Sequence, residues 1–147
     1  MSLSLGPILK RGLIAGLISG VLAAIFSYII MVSFKDDVIK QLEPIAESIS
    51  RSVEELYQIT LYNGMIWNIV LMLFIGMILA ILYSRIYHRI PGETSISKGL
   101  VLGFIFGIIF GATALVGGFT SLTIADLLSN IIVFSIYGII LGYMFRG

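Results

Sequence analysis

KRGLIAGLISG, residues 10–20, returns as SKGLVLGFIFG at residues 97–107, with Arg11 falling over Lys98. Gly12, Leu13, Gly16, Ile18 and Gly20 coincide with Gly99, Leu100, Gly103, Ile105 and Gly107 at an offset of 87. A second stretch, NIVLMLFIGMIL at 68–79, returns as NIIVFSIYGIIL at 130–141. There Asn68, Ile69, Gly76, Ile78 and Leu79 meet Asn130, Ile131, Gly138, Ile140 and Leu141 at an offset of 62. The offsets differ by 25 because the first copy carries an insertion that the second lacks. The pattern is that of one apolar hairpin used twice.

Composition says where such hairpins live. Of the 147 residues 59% are hydrophobic and 12% charged, with a mean hydropathy of +1.08. A soluble domain of this length cannot hide that much apolar surface. A hydrocarbon core about 30 Å thick takes roughly 20 apolar helical residues. Residues 12–32, 65–83, 99–119 and 127–145 each reach that length without an internal charge. Barrel strands would be about half as long and would alternate polar with apolar, which these runs do not. The expected fold is an all-α integral membrane protein of four transmembrane helices, arranged as two parallel hairpin repeats, plus an extracytoplasmic amphipathic helix. A single membrane domain spans 1–147: hairpin 1 at 8–87 with an amphipathic insertion at 36–59, hairpin 2 at 96–147. Lys10 and Arg11 ahead of an apolar run resemble a signal-peptide start, but that run is too long for a signal core of about 7–15 residues. It reads as an anchor.

Charge orients the chain. Lys10, Arg11, Arg85, Arg89, Lys98 and Arg146 fall on one side with Glu93 as the only acid. Lys35, Lys40 and Arg51 fall on the other, outnumbered by Asp36, Asp37, Glu43, Glu47, Glu54, Glu55 and Asp126. Lys and Arg excess marks the cytoplasmic face, so a multi-pass protein of the cell membrane with both termini cytoplasmic is expected. Both hairpins then start inside, so the repeats are expected to be parallel, related by a pseudo-two-fold axis along the membrane normal rather than inverted.

The insertion has helix periodicity. Val38, Leu42, Ile45, Ile49, Val53 and Leu56 form an apolar stripe opposite Lys40, Glu43, Glu47, Arg51, Glu54 and Gln58. Asp36/Lys40 and Glu47/Arg51 are spaced as i,i+4 ion pairs. Pro44 predicts a kink near Glu43 and a new helix over about 44–58. The polar face is acid-rich, unlike that of a helix lying on anionic lipid, so the stripe is expected to dock on protein. Asn63-Gly64 and Pro91-Gly92 read as turns, and Thr123/Asp126 as a capping box for the fourth span.

The candidate functional residues follow from what lipid demands. Gly12, Gly16 and Gly20, and Gly99, Gly103, Gly107 and Gly111, form four-residue ladders. Each places a groove on one helix face where a neighbouring backbone can approach, either between spans one and three or between subunits. Asn68 and Asn130 sit at matching depth, an intramembrane polar pair whose ordinary role is an interhelical hydrogen bond. The sharper alternative is a polar outer vestibule that coordinates a solute. Asp126 reads as a helix-start acid at the edge of span four. His88, the only histidine, stands among Tyr83, Arg85, Tyr87 and Arg89, as a headgroup anchor would.

Catalytic signals are missing. There is no cysteine, no G-x-S-x-G, no phosphate-cradling loop and no H-E-x-x-H. Neither an enzyme, a metal site nor a cofactor is expected from this chain alone. The expected partners are the lipid bilayer and copies of itself or a larger membrane complex, with no nucleic acid. The expected function is therefore a small non-catalytic polytopic subunit that packs through its glycine faces. A channel or facilitator for a small solute or ion is the alternative. A membrane-enzyme subunit whose cofactor is held mainly by a partner is the second alternative.

Overall fold

The computed structural model describes residues 4–146, so positions 1–3 and 147 of the expected domain lie outside the described residues. Five α-helices account for most of them. These are α1 (Leu5–Ser33), α2 (Lys35–Ser48), α3 (Val53–Ile86), α4 (Ser95–Ala112) and α5 (Ser121–Met144), and no strand occurs among the described residues. Short 3-10 turns, Tyr87–Arg89 and Thr113–Gly117, follow α3 and α4. Four helices are long and apolar enough to cross a membrane: α1, α3, α4 with its following turn, and α5. The chain is thus an all-helical bundle of multi-pass membrane type. Ile66, Trp67, Phe74 and Ile78 on α3 are each at least 60% exposed, an outward apolar face suited to hydrocarbon rather than water.

Helix starts obey capping rules. Thr94 and Thr120 each accept from the backbone N–H three residues on, at Ser97 and Thr123, whose side chains reach back to the cap. The capping box of α5 is therefore Thr120/Thr123, not Thr123/Asp126. Asp126 falls beyond the first turn, which holds no acid.

The insertion departs from expectation in where it breaks. Pro44 lies inside a continuous α2. Its ring removes one backbone donor, but Lys40, whose carbonyl loses that donor, is exposed, where water can serve instead. The chain turns at 49–52, where Ser50 adopts φ +54°. Ser50 N–H donates to the Glu47 carbonyl and Arg51 N–H to the Ala46 carbonyl, the paired bonds of a Schellman end. Ser52 then caps α3 by accepting from Glu55 N–H at 3.2 Å. Because Arg51 lies past the end of α2, it pairs with Glu55 at 3.3 Å rather than Glu47, and Lys35 with Glu54 at 3.1 Å. Asp36 and Lys40 form no ion pair among the described residues. Asn63-Gly64 makes no turn. Both sit within α3, whose 34 residues rise to about 51 Å at 1.5 Å each, well beyond the hydrocarbon core.

Packing defines two ends. At the proximal end Ile8, Tyr83, Ile90, Tyr137 and Leu141 share one core, with Tyr87 and Phe145 packed against it. At the distal end Ile30, Val38, Tyr57, Leu61 and Leu122 form a second core, with Phe34 and Leu42 against it. α1 packs most closely on α3 and α4 on α5, and α1 also packs on α5. α4 makes no comparable contact with α3. A two-fold exchange of hairpins would pair both, so the expected axis does not describe how they are joined.

Candidate functional site

The glycine ladders come first because they set helix spacing. A Cβ on Gly12 would lie 2.6 Å from the Gly76 carbonyl oxygen and 2.9 Å from Met77 Cα. One on Gly20 would lie 3.0 Å from Ile69 Cα, and Gly16 faces the Met72 carbonyl. In the other hairpin Gly99 faces Gly138 and Gly142, Gly103 faces the Phe134 carbonyl, and a Cβ on Gly107 would lie 2.7 Å from Ile131 Cα. Gly111 meets a side chain first, Leu127 Cδ1 at 2.6 Å. Each ladder is therefore occupied by the next span along the chain, not by the other ladder as in the expected pairing of spans one and three. Such positions bring the neighbouring backbone to where a Cβ would crowd or overlap it, which glycine avoids. Gly76, Gly138 and Gly142 complete these grooves. They belong to the repeated stretches or lie just beyond them, and only their position opposite a ladder reveals the role.

Between the four spans, toward the distal end, lies a partly enclosed cavity of about 240 Å³. Ala23 and Ser27 line it from α1, Asn68, Leu71, Met72 and Ile75 from α3, and Phe110 from α4, with Thr113 just beyond. Asp126, Ser129, Asn130, Val133 and Phe134 line it from α5. The spacing of the α5 residues by three and four keeps them on one helix face. Asn68 and Asn130 thus face one space. Neither makes the expected interhelical bond. Asn68 Nδ2 donates to the Gly64 carbonyl and Asn130 Nδ2 to the Asp126 carbonyl, each at 2.9 Å and four residues back on its own helix. One amide N–H is thereby used locally, leaving each Oδ1 as an acceptor toward the cavity region. Asp126 is half-buried and forms neither ion pair nor side-chain hydrogen bond among the described residues. The apolar run begins only at 127, so Asp126 reads as an edge residue in the sequence; the helix begins at Ser121 and sets Asp126 on the cavity wall.

The polar character fades toward the proximal end. Ser19, two turns from Ser27 on α1, is wholly buried, and its Oγ has no hydrogen-bond partner among the described residues. Beyond it two large side chains, Tyr83 and Tyr137, are wholly buried. Tyr137 donates to the Gly76 carbonyl and Tyr83 to the Ser95 carbonyl, both at 2.6 Å. Tyr83 packs edge-on against Tyr87 and Phe145 at 5.4 and 5.1 Å between ring centres. Arg11 lies 4.7 Å over the Phe145 ring and Lys98 4.3 Å over that of Tyr87, so basic groups cover this end by cation–π contact. His88 is exposed on its 3-10 turn, edge-on to Tyr87.

The insertion docks within the chain, though not along its whole stripe. Val38 and Ala46 are buried and Leu42 half-buried, while Ile45 and Ile49 remain about half exposed. Tyr57 anchors the contact by donating to the Met31 carbonyl at 3.0 Å.

A family model described as a family of unknown function, DUF6789, matches residues 10–147. The chain belongs to that family. No curated protein and no solved structure matches it.

Proposed function

We propose that this member of the DUF6789 family is a small, non-catalytic, polytopic membrane protein that works by assembly, packing with its own copies or within a larger membrane complex. The observation that carries this reading is the packed proximal core. Tyr83, Tyr137 and Leu141 are wholly buried there in one cluster, and none of the three lines the distal cavity. A subunit of this kind needs rigid spans and an outer module, and both are present. Since the ladders are occupied inside each hairpin, assembly falls to the outward apolar faces of the spans and the exposed Ile45 and Ile49 of α2.

Within this reading the hairpins are copies of one unit. Support comes from contact register. Gly12, Gly16 and Gly20 meet Gly76, Met72 and Ile69, while Gly99, Gly103 and Gly107 meet Gly138, Phe134 and Ile131. Ladder positions differ by 87 and their partners by 62 at every step, the same offsets the sequence carries. The matched amide bonds of Asn68 and Asn130 agree. Both termini face the cytoplasm and α2 the outside, a reading supported by the basic residues of the proximal end and the acidic face of α2.

One observation favours a second reading, that of a solute facilitator: the cavity of about 240 Å³ with Asn68, Asn130 and Asp126 on its wall. Reconstitution separates the two. Native mass spectrometry of the protein in nanodiscs should show a defined oligomer or a retained subunit, and proteoliposomes containing it alone should pass ions and small neutral solutes no faster than empty vesicles. Protein-dependent flux would contradict the assembly reading and install the facilitator.

A further inference from the structure

The distal cavity combines features that packing alone does not call for. It holds a carboxylate, two amides and the Ser27 and Ser129 hydroxyls between spans, and no basic residue lines it. A half-buried carboxylate between apolar helices is costly unless something positive or hydrogen-bonding meets it. No partner occurs among the described side chains. The Asn side chains point the same way. Each spends one of its two amide N–H donors on its own helix and keeps Oδ1, with no hydrogen bond among the described residues, as an acceptor for a guest's N–H groups. The rest of the wall is apolar: Leu71, Met72, Ile75 and Val133, with Phe110 and Phe134 stacked at 5.0 Å between ring centres.

We propose that this cavity binds a primary alkylammonium ion, its N–H donors and charge held by Asp126, Asn68 and Asn130, its short alkyl chain against Phe110, Phe134 and Val133. Size agrees: 240 Å³ is below the roughly 300–1,000 Å³ of pockets for drug-sized ligands, so the guest is small. A divalent metal fits less well, since the cavity offers only one carboxylate and no group of three His, Cys, Asp or Glu side chains forms among the described residues. The aromatic pair suits a cation that carries carbon.

The test uses the full chain in detergent with propylammonium chloride as probe and sodium chloride at matched ionic strength as reference. A ligand that binds only the folded state raises the melting temperature by an amount that grows as ln(1 + [L]/Kd), so the titration yields Kd. Parent protein should show a rise with propylammonium that follows this form and exceeds that with sodium. Asp126→Asn should keep the unliganded melting temperature and raise the fitted Kd at least tenfold. Ser27→Phe, which fills the cavity and leaves the carboxylate, should raise it similarly. Stabilisation by sodium equal to that by propylammonium would overturn the proposal, as would no stabilisation of the parent. An unchanged Kd in both variants would overturn it too, since the amine would then be acting through detergent or another surface. Assembly, read separately by native mass spectrometry, stands or falls independently.

Discussion

The two halves of this bundle are built on the same glycine ladders and end up unlike each other. In the proximal half, where Gly12/Gly76 and Gly99/Gly138 press helices together, the large side chains of Tyr83, Tyr137 and Leu141 are wholly buried. In the distal half the ladders continue through Gly20 and Gly107, but the residues aimed between hairpins are small or polar. Ala23, Ser27, Asn68, Ser129 and Asn130 leave room unfilled. Glycine spacing therefore governs how closely two consecutive spans approach, while the side chains facing across the hairpins decide whether the gap is solid or hollow.

The sharpest way to break this contrast is to add one methyl group at each end of the α4 ladder. At Gly99 it would run into the backbone of Gly138, which has no give; at Gly111 it meets first the mobile end of Leu127, with the Leu127 carbonyl oxygen next at 3.0 Å. Gly99→Ala should cost about 3 kcal/mol or more, the scale of overpacking in a close-packed interior. Gly111→Ala should cost clearly less, about 1–2 kcal/mol, since the Leu127 tip can move and alanine's better helix propensity offsets part of the remaining crowding. Thermal or denaturant unfolding in detergent measures both. Equal losses would mean that the two ends are packed alike.

A smaller effect should separate the distal core from the bundle beneath it. Val38 is buried against α3 and α5 while Ile49 is half exposed. Val38→Asp buries a charge and should free α2, exposing residues 35–52 to added protease while the spans stay inserted. Ile49→Asp should be cleaved no faster than the parent. The same rate for both variants would show that α2 is held along its whole expected stripe.

The smallest effect concerns the turn between α2 and α3. Ser50 sits in the left-handed region at the position where helices commonly place glycine. Ser50→Gly relieves that conformation and should stabilise the outer module by about 1 kcal/mol, read as slower proteolysis of 35–52. Faster cleavage would show that the serine side chain is needed there.

These residues also mark how far the sequence could be read. The spans were legible because length and hydropathy are the whole requirement of a bilayer crossing, and the ladders because glycine at every fourth position has few other uses in lipid. Their partners were not, since a groove states that a backbone approaches but not whose; only the matching glycines at 76 and 138 carried that signal. The break at 49–52 was hidden because Ser50 takes a conformation usually announced by glycine, while Pro44 announced a break that an exposed helix tolerates. Asn63-Gly64 failed as a turn because α3 starts outside the membrane and runs straight in. The cavity was half legible: Asn68 and Asn130 were singled out, but Asp126 was placed outside, as apolar run and helix do not begin together.

The central claim is that the distal cavity is wet and stops short of the proximal half. The chain has no cysteine, so single cysteines can be placed along one face of α1 at Ser27, Ala23 and Ser19 and treated with a small water-soluble thiol reagent in reconstituted protein. Reaction is expected at Ser27→Cys, slower reaction at Ala23→Cys and none at Ser19→Cys, since Ser19 is wholly buried. Reaction at Ser19→Cys as fast as at Ser27→Cys would mean that water runs on through the bundle, and the solid proximal half would be wrong.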